Sequence, residues 1–516
     1  MEITLTKTWK DRQVIIFLAV LKLAFHFLTN TRYGLHRDEF LYFDEGKHLA
    51  WGFFEVPPFT PFIGSIANLL GGSTFVIRLF PALAGVLIIV LACRLVLRLG
   101  GGRGALWITG LALTFSPALL GSNTLFQPVS FNQLFWFLIA YQTIRLVDDN
   151  SRKNWLFFGG LMGVGLLTKY SVLFYLLVLL IALLLSEHRK KIWDWNFLLS
   201  LLLALLIVAP NLWWQWKHGL PVIAHMQELR ETQLLHVSWP HFLQSQFRFH
   251  FGLSVVWLTG LIGLLRSKEY QKYRYLGWAF LGVIVLIGGL SGKAYYTAGA
   301  FLILFPFGGL FLEKWITQQP WRKALVAGMI VVSLPILPFS VPLLPLKMLK
   351  SYISVLNDDF GLYYKQRWED GKYYPIPQDI ADMHGWAEMV EKVSRVYQQI
   401  PVAERTNCMI YGGSYGHAAA INYYGRKYDL PVAQSLNSSY SFWADPNTKF
   451  DRQIMVDDVL NMESSWFSHM ELVDSIADPD ARDPGYIYWR KDPKIDVEKA
   501  WHDLVLEKRE GQLDQE

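Results

Sequence analysis

Cysteine is nearly missing from this sequence: Cys93 and Cys408 are the only two, and neither stands at a metal-ligand spacing from another cysteine. That excludes a zinc ribbon, a c-type haem attachment site and a CxxC redox pair. Histidine supplies no substitute. No H-x-x-x-H spacing occurs among His225, His236, His241 and His250, or between His36 and His48, so no residue is assigned as a metal ligand. The glycine-rich stretch Gly412-Gly413-Ser414-Tyr415-Gly416 lacks the spacing of a P-loop or a dinucleotide fingerprint and reads as a plain strand-to-helix turn. No small-residue cleavage site follows the first apolar run, which Lys7, Lys10 and Arg12 precede, so the N-terminus reads as an uncleaved signal anchor.

Charge is also scarce, but only in part of the chain. Between Val14 and Pro345 apolar runs are broken by short polar punctuation, whereas from Lys347 onward Asp, Glu, Lys and Arg occur throughout. The whole is 52% hydrophobic, above the usual range for a soluble domain. Its 21 Trp and 24 Tyr suit a water–lipid interface. The composition therefore divides the chain into a membrane module, 1–346, and a water-soluble domain, 347–516. A net charge of +5 is accounted for by loop lysines and arginines on one side of a bilayer and gives no reason to invoke nucleic acid.

A crossing takes about 20 apolar residues. Candidate runs are 14–28, 75–97, 105–120, 129–147, 155–168, 171–186, 197–213, 251–265, 276–290, 297–312 and 324–345, which makes about eleven spans. With the N-terminus in the cytoplasm and the sides alternating, every cytoplasmic segment carries at least three basic residues, for example Arg94, Arg98 and Arg103. The short outward loops carry none (121–128) or one, Lys169 or Lys293. Segments 30–72 and 214–250 and the C-terminal domain then face outward.

Within the soluble part, 386–400 has helical apolar spacing, 408–411 reads as a strand, 415–424 as a helix and 430–433 as a second strand. That order predicts a small α/β domain. The charged tail 501–516 is expected to fray.

The first outward segment carries the chemistry. Asp38-Glu39 stands near the membrane surface, where a carboxylate takes a proton from a hydroxyl or holds a metal; the plainer reading pairs the two with Arg37 or Lys47. Lys169 and Lys293 are each the lone charge of a short outward loop. They either snorkel to the headgroups or bind the phosphate of a lipid.

The pattern R-D-E-x-L-Y, H-L-A-W-G and P-P-x-T-P across 33–61 resembles the first periplasmic loop of bacterial glycosyltransferase family 39, which includes protein mannosyltransferases and lipid A aminoarabinose transferases. Segments 130–136, 163–171 and 292–297 of the membrane module, and 378–397 and 414–431 of the soluble part, are similar to further stretches of those proteins. The resemblance implies a GT-C type α-helical polytopic membrane fold with a soluble α/β domain. It also implies inverting transfer of a sugar from a polyprenyl-phosphate donor at the outer face of the cell membrane, a bacterial inner membrane. Asp38 would be the general base with Glu39 beside it, and Lys169 and Lys293 would steady the departing lipid phosphate. Tyr295 and Tyr296 would shape the substrate pocket, with His48 and Trp51 supporting the loop. Asn132 stands where relatives often carry an acidic residue and receives no role. The resemblance leaves open a divalent metal as cofactor, the sugar, and the acceptor, whether protein, lipid or envelope polysaccharide. The competing reading is a transporter or flippase of lipid-linked sugars, against which stand the absence of an internal repeat and the few broken spans.

Overall fold

A computed structural model describes residues 9–510. Lys7 of the expected anchor and residues 511–516 of the tail lie outside the described residues. The chain divides into two compact units. The first comprises Met1–Thr31, Arg78–Asn211 and Leu229–Leu349; the second comprises Arg32–Ile77, Leu212–Glu228 and Lys350–Glu516. The second unit thus takes in most of the first outward segment as well as the C-terminal domain, so it begins well before residue 347.

The first unit is helical, as lipid requires of a chain whose backbone polar groups must be satisfied internally. Four described helices are long and apolar enough to cross a membrane: Trp9–Thr29, Thr74–Arg98, Trp195–Lys217 and Gln319–Phe339. Two bent pairs, Arg103–Phe115 with Pro117–Thr124 and Ala294–Phe301 with Leu304–Trp315, raise the number to six if each is one span. Every apolar run of the sequence falls on a helix, but length and composition of the helices do not reach eleven crossings.

The first bend has a local cause. Pro117 opens a new helix because it has no N–H to continue the old one, and Ser116 caps that helix through Leu119 N (3.4 Å). The short helices Ser254–Arg266 and Leu304–Trp315 pack through glycine. A Cβ on Gly308 would meet Val256 O at 1.9 Å, and one on Gly260 would meet Leu304 O at 2.1 Å. Small residues at such a crossing let backbones approach where no hydrophobic drive separates helix from lipid.

The second unit carries a four-stranded sheet in the order β1-β2-β4-β3, from β1 (Cys408–Gly412), β2 (Arg452–Asp457), β3 (Phe467–Asp474) and β4 (Tyr486–Pro493). Strands β1 and β2 are parallel, and β4 is antiparallel to both neighbours. Its helices are α1 (Arg37–Glu45), α2 (Phe59–Leu69), α3 (Trp386–Gln399), α4 (Tyr415–Tyr424) and α5 (Val497–Glu510). The expected β–turn–α order at 408–424 is present, with Ser414 as N-cap of α4.

Two expectations fail. Residues 430–433 form no strand: Pro431 has no N–H for a ladder, and only a single bridge forms next to it, from Gln434 to Tyr411. The tail does not fray from residue 501. Helix α5 runs on to Glu510 because Trp501 and Val505 are buried against Met409, Phe450 and Phe467.

Candidate functional site

The sequence-predicted residues fall into two clusters, one in each unit. Asp38, Glu39, His48 and Trp51 belong to the second unit; Lys169, Lys293, Tyr295 and Tyr296 belong to the first.

Asp38 lies in the first turn of α1. His36 is the N-cap, and Glu39 occupies the third position, its Oε2 accepting from His36 N (2.8 Å). Asp38 N donates to His36 Nδ1 (3.1 Å), which completes a capping box built on histidine rather than serine. Glu39 is fully buried. The pair therefore divides its work: Glu39 holds the helix end and Asp38 presents its carboxylate.

That carboxylate accepts a hydrogen bond from Tyr415 OH at 2.8 Å. Tyr415 opens α4, so the helix after the glycine turn delivers the donor. The Arg37 guanidinium lies 4.7 Å above the Tyr415 ring. Arg37 N is itself bonded to Asp382 O (3.0 Å), and both carboxylate oxygens of Asp382 accept from Arg482 Nη1 at 3.1 Å. Burial pushes the Asp38 carboxyl up, but His36, the Tyr415 hydrogen bond, Arg37 and Arg482 outweigh it and hold it below the usual carboxylate value. Burial and the Asp38 charge together raise the Tyr415 phenol, so it stays a donor.

Further along α1 the acidic residues are buried and bonded to the C-terminal domain. Asp44 accepts from Asn422 Nδ2 (2.9 Å), Tyr440 OH and Lys47 Nζ. Ser439 Oγ lies 2.8 Å from Glu45 Oε1 and 2.9 Å from Glu55 Oε2. Burial, with the Asp38 charge adding to it, outweighs the hydrogen bonds from Ser439 and Glu45 and pushes the Glu55 carboxyl up to about 7. His48 stacks on Trp443 with centroids 4.6 Å apart and planes within 4°. Trp51 is 56% exposed.

In the first unit the four remaining residues come together. Lys169 Nζ lies 4.8 Å from the Tyr296 ring centroid and 5.2 Å from that of Tyr295, while Lys293 Nζ lies 5.9 Å from the Tyr295 ring. Lys293 Nζ also bonds Gln233 Oε1. Two ammonium groups thus face one pair of aromatic rings, the kind of cationic group that pairs with a phosphate. Asn132 Oδ1 accepts from Trp136 Nε1 (2.9 Å) in its own helix and from Ser171 Oγ (3.4 Å) outside it.

Several polar residues of both units were not singled out by sequence reasoning. Lys22 and Arg78 are fully buried; Lys22 Nζ donates to Leu119 O (3.2 Å) and Arg78 Nη1 to Asn30 O (2.9 Å). The available signal was a charge inside or at the edge of an apolar run, which is costly in a membrane. Tyr415 had a weaker signal, its place just after a glycine turn.

Comparison with known proteins agrees with this architecture. Residues 55–214 match the family described as dolichyl-phosphate-mannose-protein mannosyltransferase. The lipid A galacturonosyltransferase RgtD of Rhizobium johnstonii is 24% identical over 300 residues, covering 56% of this chain and 62% of that relative. The match thus spans less than two thirds of the relative's own length. Among solved structures, ArnT of Cupriavidus metallidurans aligns over 94% of this chain and 98% of ArnT. Its TM-score is 0.58 at 15% identity in the apo state, and 0.60 at 14% identity with undecaprenyl phosphate bound. The fold is accordingly that of a GT-C type polytopic membrane protein with a small C-terminal α/β domain. The resemblance to glycosyltransferase family 39 read from the first loop holds, and the family match begins within that loop, at Glu55.

Proposed function

We propose that the protein is a membrane glycosyltransferase that moves a sugar from a polyprenyl-phosphate donor to an acceptor hydroxyl on the extracytoplasmic face, with inversion. The observation that carries this reading is the setting of Asp38: a carboxylate kept ionised, fixed by Tyr415 OH at 2.8 Å, in the loop that resembles the family's catalytic loop. Such a group accepts the proton of the attacking hydroxyl as its bond to the anomeric carbon forms. Lys169 and Lys293, with Tyr295 and Tyr296, hold the lipid phosphate whose charge grows as the glycosidic bond breaks. Glu39 positions Asp38 through the helix cap, and His48 and Trp51 shape the loop. The ArnT structure with undecaprenyl phosphate supports a polyprenyl-phosphate donor. The activity named for RgtD supports a lipid of the lipid A class as acceptor rather than a protein.

The test is transfer by purified protein from a radiolabelled polyprenyl-phosphate sugar. Asp38→Asn abolishes product while the protein remains inserted and monodisperse; full activity in that variant removes Asp38 from the role of base. Lys169→Ala and Lys293→Ala each weaken donor binding about tenfold or more. Unchanged donor affinity in both returns them to interfacial snorkelling. Wild-type protein that leaves the donor intact but moves it across vesicles would establish the transporter reading instead.

A further inference from the structure

A second polar cluster lies in the α/β domain, and none of its residues is assigned a role in the proposed transfer. His417 stands in the first turn of α4, just past the C-terminal end of β1, and Asp458 follows the last residue of β2 directly. Asp483 leads into β4, whose first residue, Tyr486, pairs with Asp457 at the end of β2. The topology therefore brings all three to one edge of the sheet, the carboxyl ends of its two parallel strands, where open α/β sheets bind ligands.

The local chemistry is that of a ligand set, one imidazole and two carboxylates drawn together. His417 is fully buried, and among the described residues its Nε2, Asp458 Oδ1 and Asp483 Oδ2 meet their neighbours in ion pairs without a geometrically aligned hydrogen bond. His417 Nε2 lies 3.0 Å from Asp458 Oδ1, yet the two are not aligned as donor and acceptor. The donor atoms of all three residues lie within 4.8 Å of one another. Atoms bound to one ion at about 2.0–2.2 Å sit roughly 3 Å or more from each other, so little rearrangement closes this set. His417 Nδ1 lies 3.1 Å from Ser414 Oγ. That contact fixes the imidazole with Nε2 facing the carboxylates, the outer-shell arrangement of metal-bound histidines. Asp458 remains one-third exposed and leaves a way in. Arg37 Nη1 forms an ion pair with Asp483 Oδ2 at 3.6 Å, beyond hydrogen-bond length, and the charges of Arg37 and Arg482 also act on Asp458.

We infer that His417, Asp458 and Asp483 bind one divalent transition-metal ion. One imidazole and two carboxylates suit zinc or manganese, and the nitrogen ligand disfavours magnesium or calcium. The ion ties the start of α4 to the ends of β2 and β4. Because Tyr415 lies two residues before His417, it also steadies the donor that reaches Asp38. The three residues are too far apart in sequence for ligand-spacing rules to find them.

The experiment measures metal rather than transfer, so its failure leaves the proposed activity untouched. Full-length protein in detergent is stripped with a chelator, dialysed against Zn²⁺, Mn²⁺ or Mg²⁺ separately, and assayed for bound metal and thermal midpoint. Wild type takes up about one Zn²⁺ or Mn²⁺ per chain, with a rise in midpoint, and Mg²⁺ produces neither. His417→Ala and Asp458→Asn each weaken binding about tenfold or more. Asp458→Asn, on the most accessible ligand, keeps the test open if the buried histidine variant does not fold. His384→Ala removes a different histidine–aspartate pair of the same unit, 3.2 Å from Asp478, and binds metal as wild type does. No uptake by wild type, or unchanged affinity in Asp458→Asn, overturns the assignment; loss of metal in His384→Ala moves the site elsewhere.

Discussion

Tyr415 is the residue through which the electrostatics of Asp38 are most directly tested. Its hydroxyl donates to the carboxylate and is one of the groups that hold the Asp38 carboxyl low. Tyr415→Phe removes that donor with little change of shape, so the Asp38 pKa rises. The expected outcome is a loss of about tenfold in kcat, the worth of one hydrogen bond to a charged group. The acidic limb of the pH–rate profile should move to higher pH, because the base is then protonated over a wider range. A limb that stays in place assigns the low pKa to His36, Arg37 and Arg482 alone. Glu55 gives the opposite sign. Its carboxyl is raised from 4.5 to about 7, so between those values the folded chain binds more protons than the unfolded one. Stability is therefore largest on the acid side and falls as pH rises through that window. Glu55→Gln keeps the hydrogen-bonding shape without the titration. Thermal midpoints measured from pH 5 to 7 should show a shallower fall in the variant than in wild type; equal slopes would remove Glu55 as the source.

At the scale of the element, α1 is held at both ends by features that bear on function. Its N-terminal capping box needs only an acceptor at residue 39, which a glutamine amide supplies. Glu39→Gln should thus retain most of the transfer activity that Asp38→Asn loses, and an inactive Glu39→Gln of normal stability would give Glu39 a chemical role. At the other end Gly46 meets α2. A Cβ there would lie 2.6 Å from Gly64 C and Ser65 N, backbone atoms with no rotamer to yield. Gly46→Ala should cost about 1–3 kcal/mol in denaturant unfolding of the purified protein, the usual price of overpacking. Local features of this kind were legible in the sequence: the helix starting at Tyr415, the turn before it and the helix at 386 all follow from residues close in the chain. The pairing of α1 with α4 was not. Asp38 and Tyr415 are 377 positions apart, and nothing in periodicity or turn chemistry names the partner of a lone Asp-Glu pair. Residues 430–433 show the converse failure, where an apolar run met a proline that no strand could use. The tail shows it again: its charges pointed to solvent, while Trp501 and Val505 at helical spacing decided the structure.

For the whole molecule, the open property is sidedness, and the composition of the chain makes it measurable. The orientation expected from the alternation of basic segments has the loop holding Lys268 in the cytoplasm and the C-terminal domain outside. The only cysteines, Cys93 and Cys408, are both buried, so the background for thiol labelling is low without removing either. Lys268 and Glu463 are exposed. In intact bacterial spheroplasts a membrane-impermeant maleimide should label Glu463→Cys and leave Lys268→Cys unlabelled until the membrane is permeabilised. The reverse pattern would invert the orientation and put the Asp38 loop in the cytoplasm, where transfer at the outer face is ruled out. Labelling of both in intact cells would mean an odd change in the number of crossings between them. The four to six crossings supported by helix length and the eleven expected from hydropathy would then have to be reconciled in the 268–345 segment first. That segment contains the bent pair at Ala294–Phe301 and Leu304–Trp315, and with it Tyr295 and Tyr296. Deciding whether it crosses once or re-enters therefore also decides on which side Lys293 meets its lipid.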